Sequence, residues 1–286
     1  MLIFSNTLFQ FGVTMSRRFV FVSVVYNNYD DTLDFCKSLM QMAIEKEGLV
    51  CFLVDNSDST GIQERIDSLV FNFSFVKVLR SGRNLGYFGG FNYFFDSQFF
   101  DSSDTVVLCN NDLVFDRNFC QRFLVGSYPD DVFVVCPDVV TMDGVHQNPH
   151  HLKPITAFEK FKFDLYFSHY LFAVVLLWIK GGSRLLMRET EHFAPELKPC
   201  EINQGVGACY VLLPTFFKRI DRLFFPWLLY GEEACLSWQV RSSGGRLWFD
   251  PELVVWHAES ATLSKLPKRT TYEYGRQSYW GLRKLI

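Results

Sequence analysis

Three runs of consecutive apolar residues, each closing on Asn or Asp, constrain this chain more than any other feature. Phe19–Val25 leads into Tyr26, Asn27 and Asn28; residues 49–54 lead into Asp55, Asn56, Ser57 and Asp58; residues 105–109 lead into Asn110, Asn111 and Asp112. Unbroken runs rich in β-branched residues predict strands buried on both faces, as in a parallel sheet covered by helices. Between them the apolar spacing turns helical. Leu33, Cys36, Leu39, Met40, Ala43 and Ile44 mark one helix, capped by Asp30 or Asp31 and ended by Gly48. Ile62, Ile66, Leu69 and Val70 mark the next, and residues 75–79 a further strand. The alternation implies right-handed crossovers and an α/β fold with helices on both faces of the sheet. Ligands in such sheets bind at the carboxyl ends of the strands, where Tyr26, Asn27, Asp55 and Asp112 fall.

Asp112 stands between two apolar runs, since residues 113–115 are apolar again. That position suits a carboxylate pointing into a cleft and holding a hard cation, with phosphate completing the shell; an Asn/Asp turn accounts for the same residues. Residues 83–92 place Gly86, Gly89 and Gly90 at the start of an aromatic helix. Glycine there permits close approach of a ligand phosphate, or simply close packing of helix on sheet. The spacing and position are not those of the dinucleotide fingerprint.

The chain of 286 residues is 49% hydrophobic and contains 31 Phe, enough for one large α/β domain or two small ones, with aromatic surface left to line a cleft or face a membrane. A net charge of -3 argues against general nucleic-acid binding. The 8 Cys show no paired spacing, which reads as buried thiols in a reducing compartment. The first fourteen residues make a poor signal peptide, and Met15 is the expected natural start.

In the second half, Asp116 is expected to cap a helix through Phe123 and Leu124 that ends at Gly126, with a strand at 132–136 after it. Residues 143–153 are polar and carry His146, His150 and His151, whose spacing fits a mobile loop over the cleft better than a metal site. Residues 158–180 are aromatic and apolar, but the uninterrupted part is too short for the ~20 residues of a membrane span. They form either core or a helix lying on a bilayer surface. A strand at 207–213 and a helix from Thr215 follow. A wholly apolar stretch then breaks at Gly231 and delivers Glu232 and Glu233 to a helix start. Acids there complement the helix dipole; surrounded by aromatic residues, one of them would also be desolvated toward the proton affinity of a general base. Residues 246–249 and 253–256 read as the last strands, with His257 at a strand end, placed to share a cation with Asp112. Residues 265–286 hold six basic residues against one acid, with aromatic residues between them, and suit a phosphate or an anionic membrane surface.

As an ordered set these residues resemble the family 2 glycosyltransferases, particularly the bacterial rhamnosyltransferase-like branch. The motifs are Val24-Val25-Tyr26-Asn27, Val54-Asp55-Asn56-Ser57, Asn84 to Asn92, Asn110-Asn111-Asp112, Gly207-Ala208-Cys209, Gly231-Glu232-Glu233 and Val255-Trp256-His257. The resemblance implies a glycosyltransferase A fold, a mostly parallel central sheet in an αβα sandwich with a merged acceptor-binding half. It divides the chain into an extension (1–18), a nucleotide-sugar half (19–115), an acceptor half (116–264) and a C-terminal helix (265–286). By the same resemblance Tyr26, Asn27, Asp55, Asn84, Gly86, Gly90, Asn111 and Asp112 would bind the nucleotide-sugar. Asp112 and His257 would hold Mg2+ or Mn2+, and Glu233, beside Glu232, would be the base of an inverting transfer. Trp227, Tyr230 and Trp238 would meet the acceptor, and Arg276 a diphosphate or the membrane. The donor would be a dTDP-rhamnose or UDP-hexose type. The acceptor would be a lipid-linked oligosaccharide of a bacterial surface polysaccharide, with the protein in the cytoplasm at the inner membrane face. Three positions depart from the family pattern: the metal motif has a single carboxylate, the usual Glu-Asp pair is Glu-Glu, and Cys235 stands where Asp is common. These departures leave open a non-catalytic glycan-binding subunit.

Overall fold

The computed structural model describes residues 18–42, 48–176, 178, 198–227, 230–258 and 268–285. The proposals about residues 1–14, Met15, Ala43 and Ile44 lie outside them. The elements run β1 (Phe19–Val25), α1 (Tyr29–Met40), β2 (Leu49–Asp55), α2 (Thr60–Asn72), β3 (Val76–Leu79), α3 (Tyr87–Asp96), β4 (Thr105–Asn110), β5 (Leu113–Phe115), α4 (Phe119–Val125) and β6 (Val132–Thr141). They continue with α5 (Ala157–Ser168), β7 (Cys200–Ile202), β8 (Cys209–Leu212), α6 (Pro214–Phe217), α7 (Glu232–Ser242), β9 (Arg246–His257) and α8 (Lys268–Leu282).

The strands form a mixed α/β fold around one sheet of order β3-β2-β1-β4-β8-β6-β9-β5, with β7 paired to β9. From β3 to β4 the sheet is parallel, as the apolar runs require. Beyond β4 it is mixed: β8 runs antiparallel to both neighbours, β6 and β9 run parallel, and β5 runs antiparallel to β9. Side chains alternate between two cores. Phe19 and Phe21 of β1 pack with Phe35 of α1, Ile66 of α2 and Phe119 of α4. Val20 and Val22 face Phe88, Phe91 and Phe94 of α3 and Leu236 of α7. These two layers absorb much of the Phe, and all the Cys except half-buried Cys200 are buried free thiols.

The topology matters for what it collects at one edge. The carboxyl ends of β1, β2 and β4 lie together, because Val25 pairs with Asp55 and Val24 with Asn110. Antiparallel β8 begins at that edge, with Cys209 opposite Cys109. Parallel β6 and β9 end there, with Thr141 beside His257, and β5 starts there, with Leu113 opposite His257. Sequence segments far apart in the chain thus deliver their first or last residues to a single rim. β5, within the first half by sequence, pairs with β9 of the second, while Phe115 turns its ring onto Phe21.

Several local expectations are corrected. Asn28, not Asp30 or Asp31, precedes α1; the two acids sit in its first turn, and Met40 is exposed. Val70 is also exposed. Asn118 precedes α4, and Asp116 instead accepts from the Asn118 N–H. The two expected last strands are one, β9, which runs through Asp250-Pro251-Glu252 with a register shift against β6. Of the 158–180 segment, whose orientation the sequence left open, α5 has no buried residue and stops before His169, and the chain is helical again over 170–176, where Ala173 is buried. The 143–153 loop is stitched down. Gln147 N–H donates to the Val139 carbonyl and His151 N–H to that of Gln204. Asn148 Nδ2 donates to the Pro137 carbonyl, and Asn148 Oδ1 accepts from Val206 N–H.

Candidate active site

At the rim, β5 and β9 hold Asp112 and His257 side by side: the Ala258 N–H donates to the Asp112 carbonyl, and His257 Nε2 lies 3.3 Å from Asp112 Oδ1. The His257 ring is oriented from behind, with Nδ1–H donating to Gln147 Oε1 at 2.8 Å. That bond fixes the tautomer and leaves the Nε2 lone pair facing the carboxylate. One imidazole nitrogen and one carboxylate, aimed together and supported by an outer partner, fit a Mg2+ or Mn2+ whose other ligands come from substrate oxygens. No group of three or more His, Cys, Asp or Glu fit to hold a metal is present among the described residues. His146 pairs with Asp138, and His150 and His151 face elsewhere.

Across the parallel half, Asp55 is buried at the end of β2. Its Oδ1 accepts from Ser57 N–H and its Oδ2 from Arg80 Nε and Nη2 at 2.9 and 2.8 Å. Asp58 joins this loop to the end of β1, accepting from Tyr26 Oη and Asn27 Nδ2 at 3.0 and 2.6 Å. Those two bonds hold the Asp58 carboxyl below its usual range. Gly86 takes a positive φ of 71° before α3, its N–H held by Asn84 Oδ1 and its carbonyl by Asn56 Nδ2.

The second focus is a cavity of about 1090 Å³ walled by Phe163, Tyr166, Phe167, Tyr170, Tyr272 and Tyr279, with His150 and His151 on the loop side and Glu233 at one end. Its walls are α5 and α8. Asp164 is the clasp between them, bound by Arg283 Nε at 2.6 Å and Tyr279 Oη at 2.5 Å. Phe167 stacks on Tyr279 at 4.8 Å.

Gly231, with φ of 100°, turns the chain into α7 and sets both acids in its first turn. Glu233 reaches the cavity and its Oε1 accepts from Gly207 N–H at 3.3 Å. Glu232 is 7% exposed. Burial, and then the charge of Glu233, push its carboxyl up to about 8. Burial raises Glu233 as well, against the pull of the backbone N–H groups at the helix start and at Gly207. Glu232 therefore holds its proton more tightly than an ordinary carboxyl, and Glu233 sets its carboxyl against the cavity.

The family model "Glycosyl transferase family 2" matches residues 20–177. The chain belongs to glycosyl transferase family 2. Among solved structures, GalNAc-T7 with UDP, GalNAc and Mn2+ is similar at 15% identity and TM-score 0.59, over 93% of this chain and 50% of that one. The mannosyltransferase PcManGT of Pyrobaculum calidifontis, in complex with GDP-Man and Mn2+, gives 12% identity and TM-score 0.54 over 95% and 61%. TarS of S. aureus gives 12% and 0.53 over 85% and 37%. At these identities the likeness concerns the glycosyltransferase A fold, and the chain spans between about a third and two thirds of those proteins. No curated protein matches the sequence.

For a family 2 glycosyltransferase domain, the rim gathers many of the residues singled out by sequence: Tyr26, Asn27, Asp55, Asn111, Asp112 and His257. Asn111 turns its Nδ2 away, to the Asn28 carbonyl and Thr32 Oγ1. Gly90 lies against β1, where a Cβ would come within 2.7 Å of Val24; close packing explains this glycine. Of the three aromatic residues near Glu233 in sequence, only Tyr230 lines the cavity. Trp227 lies against Gly281 of α8 and Trp238 beside Phe224. Arg276 is engaged by the Phe167 carbonyl at 2.8 Å. Sequence reasoning gave no role to Asp58, Arg80, Tyr87 or Gln147, and expected aromatic residues at a cleft without assigning α5 and α8 as its walls. Only Asp58 carried a local signal, as the last polar residue of the β2 turn.

Proposed function

We propose that this domain is an inverting glycosyltransferase. It moves a sugar from a nucleoside-diphosphate donor, of the dTDP-rhamnose or UDP-hexose type, to a hydroxyl of a lipid-linked bacterial surface polysaccharide. The placement would fall within the rhamnosyltransferase-like branch. The observation that carries the reading is Glu233: a carboxyl with no salt bridge among the described residues, accepting a backbone N–H and lining an aromatic cavity beside the strand-end rim.

The donor lies along the rim, with its base against Asp55, Tyr26 and Asn27 and its diphosphate toward Asp112. Asp112 and His257 would hold Mg2+ or Mn2+, which when bound would neutralise charge on the departing diphosphate. The acceptor sugar enters between α5 and α8, where aromatic rings stack on its faces. Glu233 takes the proton of the acceptor hydroxyl as that oxygen attacks the anomeric carbon. The new C–O bond forms on the face opposite the breaking bond to phosphate, so the configuration inverts, and the proton ends on Glu233. Glu232, already protonated, adds no second charge that would repel the incoming oxygen.

The test is donor turnover across a panel of nucleotide-sugars with and without Mn2+ or Mg2+, for wild type, Asp112→Ala and Glu233→Gln. The expected outcome is metal-dependent turnover of one donor, donor binding lost in Asp112→Ala, and in Glu233→Gln donor binding kept while transfer drops ~10²–10⁴-fold. Unimpaired transfer by Glu233→Gln would sink this reading in favour of the glycan-binding one.

We further propose that the domain rests on the inner membrane face through α5 and the following turn. Phe158 and Phe161 are 65% and 61% exposed, with Trp178 and Phe172 also exposed beyond them. Lys162 lies over the Phe158 ring and Arg269 over Tyr170, the pairing of apolar and basic groups that suits an anionic lipid surface. No helix among the described residues is long and apolar enough to cross a membrane. Co-sedimentation with phosphatidylglycerol vesicles should fall severalfold in Phe158→Ser/Phe161→Ser, and equal sedimentation would remove the docking role.

A further inference from the structure

Gly207 is where the separate parts of the site touch. Its carbonyl accepts from Tyr87 Oη at 2.8 Å, and its N–H donates to Glu233 Oε1. Its neighbours are tied as closely: Val206 N–H donates to Asn148 Oδ1 at 2.7 Å, and the Ala208 carbonyl accepts from Asn110 N–H at 2.9 Å. A Cβ on residue 207 would stand 2.8 Å from Glu233 Oε1, so only glycine leaves the carboxylate its place. Tyr87 is the first residue of α3, directly after the turn formed by Asn84 and Gly86, and its ring is fixed edge-on against Phe91 at 4.6 Å.

We infer that Tyr87 is a positioning residue for the base: through the Gly207 segment it holds the N–H that orients the Glu233 carboxylate. The inference rests on the transferase reading given above. Tyr87 itself is 120 residues from Gly207 in sequence and does not line the cavity, so its effect reaches the acceptor through Gly207 and Glu233. The hydroxyl fixes the Gly207 carbonyl, and the rigid backbone around it fixes the N–H that meets Oε1. Because the same tyrosine opens the helix behind the glycine-rich turn, the donor side of the site and the base share one anchor. An N–H aimed at a carboxylate favours its ionised form, so the anchor also keeps Glu233 able to accept a proton. The groups facing Glu233 are Glu232 and Cys235 on its own helix, Tyr210 of β8, and His150 and His151, which line the same cavity; Tyr87 of α3 lies behind them, near Glu232 and Tyr210. Tyr87→Phe removes none of their charges at neutral pH, since burial holds the Tyr87 phenol well above its ordinary range.

The experiment is a ¹³C NMR titration of protein labelled at the glutamate carboxyls, with the Glu233 signal assigned by its loss in Glu233→Gln, alongside steady-state transfer kinetics. In Tyr87→Phe the ring and its packing remain. The Glu233 midpoint should move up by about one pH unit, the worth of a hydrogen bond to a charged group. The kcat should fall about tenfold with the donor KM unchanged. Gly207→Ala attacks the same link from the other side. The three atoms nearest its Cβ all belong to the Glu233 side chain, so that side chain gives way and the carboxylate is pushed off the N–H. It should move the midpoint in the same direction, and the double variant no further than the larger single one. An unmoved midpoint in Tyr87→Phe, additive shifts in the double variant, or a loss confined to donor KM would each overturn the inference. A wild type that turns over no donor would instead remove the transferase reading, while the titration would still decide the role of Tyr87.

Discussion

The carboxylates of the parallel half and those at the head of α7 are the same chemical group in opposite surroundings. Asp55 is buried, yet it faces the Arg80 guanidinium and a backbone N–H. Asp58 is exposed, and two side-chain donors hold it below its usual range. Glu232 is buried and Glu233 half-buried at the cavity, with no salt bridge to either among the described residues, and both are raised by burial. The contrast separates two uses of an acid. A paired acid is a fixed anion and builds a frame, here the junction of β1, β2 and β3 on which a nucleotide would lie. An unpaired buried acid keeps its affinity for protons, and that is what a base needs.

The same conservative change, acid to amide, should therefore do opposite things in the two regions. Asp55→Asn tests the framing acids. The amide keeps an oxygen for Ser57 N–H but leaves Arg80 without its buried partner. Breaking a fully buried pair costs ~3–5 kcal/mol; the Arg80 side chain is 30% exposed and also bound to Asp67, which reduces this to about 2–3 kcal/mol by solvent screening. Thermal melting at pH 7 should drop by roughly 5–10 °C. A melt equal to wild type would mean the pair does not hold the frame, and the contrast between the two regions would lose its first half.

The parallel frame was legible in the sequence because both faces of β1, β2 and β4 are buried, and a strand buried on both sides leaves an unbroken apolar run. The positions of Asp112, His257 and Glu233 followed, since each stands where such a run or an apolar stretch ends. What was not legible depends on contacts across the chain. Gln147 lies 110 residues from His257, and Asp164 is 119 from Arg283. Nothing local in those residues announces a partner. Nearness in sequence misled for Trp227 and Trp238, because α7 turns Trp238 away from Glu233 while α5 and α8 supply the cavity walls. The orientation of α5 was open for a physical reason: an aromatic helix has the same apolar spacing against a core or against lipid. β9 was hidden by Asp250-Pro251-Glu252, a turn-like trio that the strand absorbs as an irregularity at the sheet's register shift.

Glu232→Gln tests the other half of the contrast, with an effect that depends on pH. In the unfolded chain this carboxyl titrates at its ordinary value of 4.5; in the fold it is pushed up to about 8. Between those two values the native state holds a proton that the unfolded state has released. Its contribution to stability is thus fully present below pH 4.5 and is lost as pH rises toward 8, by up to about 1.4 kcal/mol per pH unit. Glutamine has nearly the same shape as the protonated acid and never releases that proton. Urea unfolding at pH 5 and pH 8 should show the variant gaining on wild type at the higher pH, with transfer at pH 7 little changed because the native Glu232 is already neutral there. An advantage that does not grow with pH would mean that Glu232 is ionised in the fold. Two adjacent carboxylates would then share the head of α7, and the division between framing acids and proton-accepting acids would no longer follow from burial.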